Sequence, residues 1–337
     1  MELIAGDIGG TKSWLVWVTG APSATSTLRF EQVYTSADFA SGDALLRRFI
    51  SDAGCPARVN RLLLALPGPL AARQVTLTNL DWTLDADALQ SALGIPEVRF
   101  INDFQAAAAG VATLSAADTL RLNAAPVTAG GVRAITGAGT GLGLAFMLPD
   151  AAGHYQTFAT EGGHIDFAPA NAVQGRLLDM LRPQYGHVSW ERVASGSAMN
   201  DLYRFCCAER GVTPLETMDG ATLSTRAAAG DALADATLDL FVALYGAWVG
   251  NVALLYQPAG GLYLAGGVTR HLQARLATPR FMAAACDKGR MRPLVERTPI
   301  FLTTCARLGV QGALASAQAV PGPTTLNSNT AAFRSGT

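Results

Sequence analysis

The chain has 337 residues, half of them hydrophobic and 15% charged, which suits about two packed domains at roughly 100–200 residues each and argues against general disorder. A formal net charge of −1 implies no broad basic surface, so no nucleic-acid partner and no anionic membrane partner is expected. Cys55, Cys206, Cys207, Cys286 and Cys305 are odd in number and contain no Cys-x-x-Cys pair, which fits buried thiols in a reducing cytoplasm rather than a disulfide framework or a structural zinc site.

Residues 3–5 are apolar and lead into Gly6-Asp7; after Gly9-Gly10-Thr11, residues 13–18 are again strand-like. Two strands around a glycine turn predict a hairpin. Asp7 interrupts the first apolar stretch, so no secretory signal is expected. A helix is expected within 42–50 and a buried strand at 61–66, stopped by Pro67-Gly68-Pro69. Residues 85–93 read as a helix ended by Gly94. A strand at 98–101 follows, with Asn102-Asp103 at its carboxyl end and a helix beginning at 106–109.

The pattern then restarts. Residues 133–136 and 142–148 predict strands on either side of Gly137-Ala138-Gly139-Thr140-Gly141. This unit matches the first at its Gly-Thr pair, which makes a weak internal repeat of strand, glycine turn and strand. Helices are expected at 171–185, 197–210, where Gly211 suits the C-terminus, and 231–256. Residues 240–256 carry no charge and approach bilayer length. Gly246, Gly250 and Asn251 within them, Asp231, Asp235 and Asp239 at helical spacing before them, and a strand at 262–264 after them favour a buried helix. The tail from 321 mixes Pro, Gly, Ser, Thr and Asn, and is expected to be poorly ordered.

A glycine turn can bind phosphate because its N–H groups converge with no side chain in the way. Gly9, Gly10 and Thr11 make one such turn, Gly137, Gly139, Thr140 and Gly141 a second, and Gly266-Gly267, between a strand and a helix, a third. Asp7 either caps its turn or holds Mg²⁺ through water. Lys12 lacks the spacing of a Walker lysine and reads as solvated or phosphate-steering. Asn102-Asp103 either caps the next helix or places a proton acceptor and a hydrogen-bonding amide where α/β sheets bind ligands. Glu161-Gly162-Gly163-His164 is a plain loop or a polar binding loop, with too few neighbouring ligands for zinc. Glu191 is an exposed helix carboxylate or a further acceptor.

Gly6-Asp7-Ile8-Gly9-Gly10-Thr11, Ile101-Asn102-Asp103-Phe104, Gly137 to Gly143, Glu161-Gly162-Gly163-His164-Ile165-Asp166-Phe167-Ala168-Pro169, Gly186-His187-Val188-Ser189-Trp190-Glu191-Arg192-Val193 and Ala265-Gly266-Gly267 occur in this order. Together they resemble the bacterial glucokinases, of the hexokinase, actin and Hsp70 ATPase superfamily, from about residue 3 to 315. The resemblance implies an α/β, two-domain actin-like ATPase (ribonuclease H-like) fold with a central cleft. The small domain would be 1–112 with 306–320, regaining a helix near 309–317, and the large one 113–305. It further implies ATP and Mg²⁺ as cofactors, glucose as substrate, a cytoplasmic homodimer, and phosphorylation of the sugar 6-hydroxyl. Asp103 would be the catalytic base. Asn102, Glu161, His164 and Glu191 would contact the sugar, and the glycine turns and Asp7 would serve the nucleotide. The chain departs from the family at Lys12, where many members carry Asn. It departs again at Ala65-Leu66-Pro67-Gly68-Pro69-Leu70, which is similar to the ROK kinases, although their zinc-binding cysteine cluster is absent. Alternatives are a kinase for another hexose or an N-acetylated amino sugar, a non-catalytic sugar sensor, and an actin-like or chaperone ATPase; the last would not need Glu161, His164 and Glu191 together.

Overall fold

The computed structural model describes residues 2–20, 26–55, 59–68, 70, 73–77, 80–214 and 216–318. Pro69, residues 319–320 and the tail expected at 321–337 lie outside the described residues. The chain divides into two compact units, Met1–Thr113 with Arg307–Thr337, and Leu114–Ala306.

In the first unit, strands β1 (Glu2–Ile8), β2 (Lys12–Thr19), β3 (Thr27–Thr35), β4 (Arg61–Leu66), β5 (Gln74–Leu77), β6 (Trp82–Asp85) and β7 (Glu97–Asn102) form two sheets. Five make a sheet in the order β3-β2-β1-β4-β7, and β5 pairs with β6 apart from it. β2 runs antiparallel to its neighbours β1 and β3, while β1, β4 and β7 are parallel. The central strands β1 and β4 read as continuous apolar runs, as strands covered on both faces do, and Leu3, Ile4, Leu62, Leu64 and Leu66 are fully buried. Helices begin where a side chain satisfies their first amides. Ser41 accepts from Ala44 N ahead of the Gly42–Ala53 helix, and Asp85 accepts from the Asp87 and Ala88 amides ahead of Ala86–Leu93.

The second unit repeats this plan. Its strands are β8 (Thr119–Arg121), β9 (Arg133–Ala138), β10 (Leu142–Pro149), β11 (Tyr155–Thr160), β12 (Gly261–Ala265) and β13 (Ile300–Thr303). The sheet order is β11-β10-β9-β12-β13-β8. An antiparallel meander β9-β10-β11 continues through parallel β12 and β13, the arrangement of β1-β2-β3 with β4 and β7. The repeat seen in two glycine turns therefore extends over five strands.

The Ala232–Tyr256 helix is long and apolar enough to cross a membrane, but 67% of its apolar window is buried within the chain. Phe241, Tyr245, Trp248 and Val252 belong to a core shared with Leu262, Leu264, Phe281 and Leu302. Among the cysteines, Cys206, Cys207 and Cys286 are buried, whereas Cys55 and Cys305 are only partly so, which corrects the expectation of five buried thiols.

Candidate active site

In the first unit, three parallel strands deliver the candidate residues to one sheet edge. Asp7 of β1 is level with Ala65 of β4, Ala65 with Ile101 of β7, and Leu66 with Asn102. At about 4.8 Å between neighbouring strands, Asp7 and the Asn102-Asp103 step lie roughly 10 Å apart along that edge. The C-terminal Leu308–Gln318 helix supports both. A Cβ on Gly309 would overlap the Asp7 carboxylate, and one on Gly312 would overlap the Ala106 carbonyl in the Asp103–Gly110 helix. Glycine at these two positions lets the backbone approach that closely.

Asn102 is buried and caps this helix: its Oδ1 accepts from Phe104 N at 2.9 Å and from Gln105 N at 3.1 Å, and its amide donates to Gly68 O at 3.2 Å. Of the two readings of Asn102, capping is the one the geometry displays. Asp103 opens the helix, half-buried, with Oδ1 accepting from Phe104 N at 2.8 Å.

The 9–11 turn is fastened from behind. Gly9 N donates to Lys12 O at 2.9 Å, Ser36 N to Thr11 O at 3.0 Å, and Ser36 Oγ to Gly9 O at 2.7 Å. Among the described residues nothing accepts from the Gly10 and Thr11 amides. Lys12 is exposed.

The turn of the second unit is built alike. Gly139 N donates to Gly141 O at 2.9 Å, Gly196 N to Gly139 O at 2.8 Å, and Ser197 N to Thr140 O at 3.2 Å. With these three carbonyls already accepting, the turn presents donors: the Thr140 and Gly141 amides have no acceptor among the described residues. Such a surface suits an anion. Gly266 has φ +99, and a Cβ there would overlap the Ala138 carbonyl, so the third glycine turn abuts the end of β9. Gly137, for its part, lies within β9 rather than in the turn.

The polar set beside this turn comes from two segments paired with each other. Phe167 N donates to Val188 O at 2.9 Å, Trp190 N donates to Ile165 O at 3.0 Å, and Asp166 bridges to Ser189. Glu191, opening the Glu191–Ala194 helix, accepts from Leu142 N at 2.8 Å through Oε2. A Cβ on Gly141 would overlap that same oxygen, and one on Gly163 would overlap Leu142 O. Glu161 and His164 flank the resulting corner, with His164 Nε2 at 3.8 Å from Glu161 Oε2 and both side chains about half exposed. Partial burial holds the Glu161 carboxyl above its ordinary pKa; the Glu191 charge adds to this and His164 opposes it. Glu161, His164 and Glu191 are thus gathered onto the edge of the 139–142 turn.

Two supports of this corner have no role assigned to them from the sequence. The 195–197 loop closes the turn through Gly196 and Ser197, and Ser195 Oγ donates to Glu191 O at 2.7 Å. His187 orients the sequence around His164: its Nε2 donates to His164 O at 3.0 Å, and its Nδ1 is 3.1 Å from Asp166 Oδ1.

A family profile described as Glucokinase matches residues 4–320. A glucokinase of Synechocystis sp. is 38% identical, over 93% of this chain and 97% of its own. The crystal structure of a glucokinase from an Antarctic psychrotroph superposes with a TM-score of 0.78 at 31% identity, covering 94% of this chain and 98% of that one. A glucokinase from Balamuthia mandrillaris, crystallised in complex with glucose, superposes with a TM-score of 0.78 at 22% identity, covering 94% of each chain, and so shares the fold. By family match and by identity over nearly the whole length, the chain belongs to the glucokinase family.

Proposed function

We propose that this chain transfers the γ-phosphoryl group of ATP to the 6-hydroxyl of glucose. The observation that carries the reading is the Glu191 carboxylate, which accepts from an amide of the 139–142 turn while standing in the field of Glu161. A group able to count sugar hydroxyls is thereby fastened to a turn able to hold phosphate. In the reaction, the 6-oxygen forms a bond to the γ-phosphorus as the bond from that phosphorus to the β–γ bridging oxygen breaks. ADP carries away the electron pair, and the hydroxyl proton passes to a carboxylate oxygen of Asp103. Glu161, His164 and Glu191 accept from or donate to the other hydroxyls. Asn102 acts by holding the start of the Asp103 helix. The Gly10, Thr11, Thr140 and Gly141 amides bind phosphate oxygens, and no charge has to reorganise as the transition state forms.

The chemistry of Asp7 fits Mg²⁺. Its carboxylate faces a glycine where a Cβ would overlap it, and among the described residues no set of three ligands competes for a metal. One carboxylate acting through water is the ordinary protein share of a Mg²⁺ site, the nucleotide providing the rest. The ion would neutralise phosphate charge; holding it would be the task of Asp7.

Two outcomes are expected. In a coupled assay with ATP, kcat/KM for glucose should exceed that for mannose, fructose and N-acetylglucosamine, because each differs from glucose at carbon 2 and so misplaces or replaces a hydroxyl that the site would hold by a directional hydrogen bond. A lead by another sugar would overturn the glucose assignment, and glucose binding without any phosphorylation would leave a sugar sensor. The second outcome follows from Glu161. Its raised pKa means that the neutral form accumulates at a higher pH than for an ordinary glutamate. The ionised acceptor is present above that pKa and is lost as pH falls through it. KM for glucose should therefore rise on acidification, beginning at a higher pH than for an ordinary glutamate, and Glu161→Gln should flatten that limb. An unchanged profile in Glu161→Gln would remove Glu161 from the sugar contacts.

A further inference from the structure

Beneath the 139–141 turn lies a buried polar network that the reaction does not use. The Ala232–Tyr256 helix presents Tyr245 and Trp248 three residues apart, hence on one face. Both side chains are fully buried. Trp248 Nε1 donates to Thr136 Oγ1 at 2.8 Å, and Thr136 Oγ1 donates to Gly143 O at 2.7 Å, so one indole N–H fixes both strands that enter and leave the turn. Tyr245 Oη lies 3.1 Å from Thr269 Oγ1, and both oxygens accept from Ala138 N, Thr269 Oγ1 at 3.3 Å. Burial pushes the Tyr245 hydroxyl well above its ordinary pKa, so it stays a neutral hydrogen-bonding group.

Thr269 sits in the Gly267–His271 helix, directly after the third glycine turn. Its hydroxyl therefore joins that turn to the last residue of β9, at the place where Gly266 abuts the Ala138 carbonyl. A threonine fully buried in an apolar core loses its water-bound hydrogen bonds, and a plain packing role would favour valine there, of nearly the same shape. The hydroxyl has a directional task instead: it satisfies an amide next to the phosphate turn, and Tyr245 in turn orients it.

We propose that Thr269, oriented by Tyr245, is a positioning residue that sets the distance between the 139–141 turn and the 266–267 turn, and thereby governs nucleotide affinity but not sugar affinity. The proposal rests on the reading of these turns as the nucleotide site. Thr269→Val keeps the volume and takes from the Ala138 amide one of its two acceptors, leaving Tyr245 Oη. Loss of one such hydrogen bond corresponds to about a three- to tenfold effect, expected as a rise in KM for ATP with KM for glucose unchanged. Thr269→Ser restores the hydroxyl and should return KM for ATP to within about twofold of the parent. Because Tyr245 and Thr269 serve the same Ala138 amide, Tyr245→Phe should raise KM for ATP by itself, and the double variant, which removes both acceptors, should lose more than the sum of the two single effects.

The measurement is steady-state kinetics for both substrates, with calorimetric titration of a non-hydrolysable ATP analogue into each variant. If the parent protein binds the analogue and Thr269→Val binds it equally well, the positioning role is wrong. It is wrong also if KM rises equally for both substrates, or if the two substitutions add. Should Thr269→Val fail to fold, Tyr245→Phe against the parent decides, and unchanged analogue affinity there overturns the proposal. A parent protein that binds no analogue at all refutes the nucleotide site itself and takes the inference with it.

Discussion

Asp103→Asn should lower kcat for glucose phosphorylation by about 10²–10⁴-fold, the usual contribution of a general base, equivalent to about 3–5 kcal/mol of barrier at 1.36 kcal/mol per tenfold. The substitution is nearly isosteric. One contact that Asp103 makes at the head of its helix, Oδ1 accepting from Phe104 N at 2.8 Å, remains available to an asparagine carbonyl oxygen. The helix keeps its own cap as well, since Asn102 Oδ1 holds the Phe104 and Gln105 amides. The variant should therefore fold with unchanged thermal stability, bind the ATP analogue normally and bind glucose nearly normally, while turnover collapses. Near-normal turnover would remove Asp103 from the role. Its neighbour gives a contrasting expectation: a change at Asn102 to Ala removes a cap, worth about 1 kcal/mol, so its first effect is on stability rather than on the chemical step.

The hairpins around the glycine turns were legible because their strands are buried. β1, β4, β9 and β10 are nearly continuous apolar runs ended by Gly or Pro, and they formed close to their expected bounds. The long buried helix was legible for the same reason, as were helices whose N-caps are Asp85, Asn171 and Asp231. The edge strands were not. β3 carries Arg29, Glu31 and Gln32 and is mostly exposed, and β11 is half exposed, so neither shows the alternation that marks a strand with one buried face. The short strands β8 and β13 passed unseen because each pairs with the other across most of the second unit's sequence. The candidate site divides the same way. Residue types and local spacing left Asp7, Asp103, Glu161, His164 and Glu191 open between plain structural roles and chemistry, and it was the resemblance to the bacterial glucokinases that singled them out. Nothing local could show that Glu191 bonds to an amide 49 residues earlier, or that Ser36, Gly196 and Ser197 occupy the carbonyls of the two turns. Nor could it choose between the two readings of Asn102, since a cap and a ligand contact require the same side chain at the same strand end.

Gly139→Val should weaken ATP binding by about 10²–10⁴-fold and leave glucose binding largely intact. The estimate rests on losing about two hydrogen bonds from backbone amides to charged phosphate oxygens, each worth about 1.5–3 kcal/mol. Most glycine substitutions around this turn would confuse ligand effects with folding, because Gly141 and Gly163 have no room for a Cβ. Gly139 differs. A Cβ there meets nothing within 4 Å, and its φ lies outside the left-handed region. Valine should therefore be accepted by the folded chain, with Gly139 N still donating to Gly141 O and Gly139 O still accepting from Gly196 N. What the branched side chain takes away is the bare approach to the Thr140 and Gly141 amides, two donors with no acceptor among the described residues. Calorimetry with the ATP analogue and with glucose, on a variant whose melting temperature matches the parent, separates the two cases. Unchanged nucleotide affinity would mean that phosphate is held elsewhere. Loss of glucose binding to the same degree would mean that the turn serves the sugar through Glu191 rather than the nucleotide.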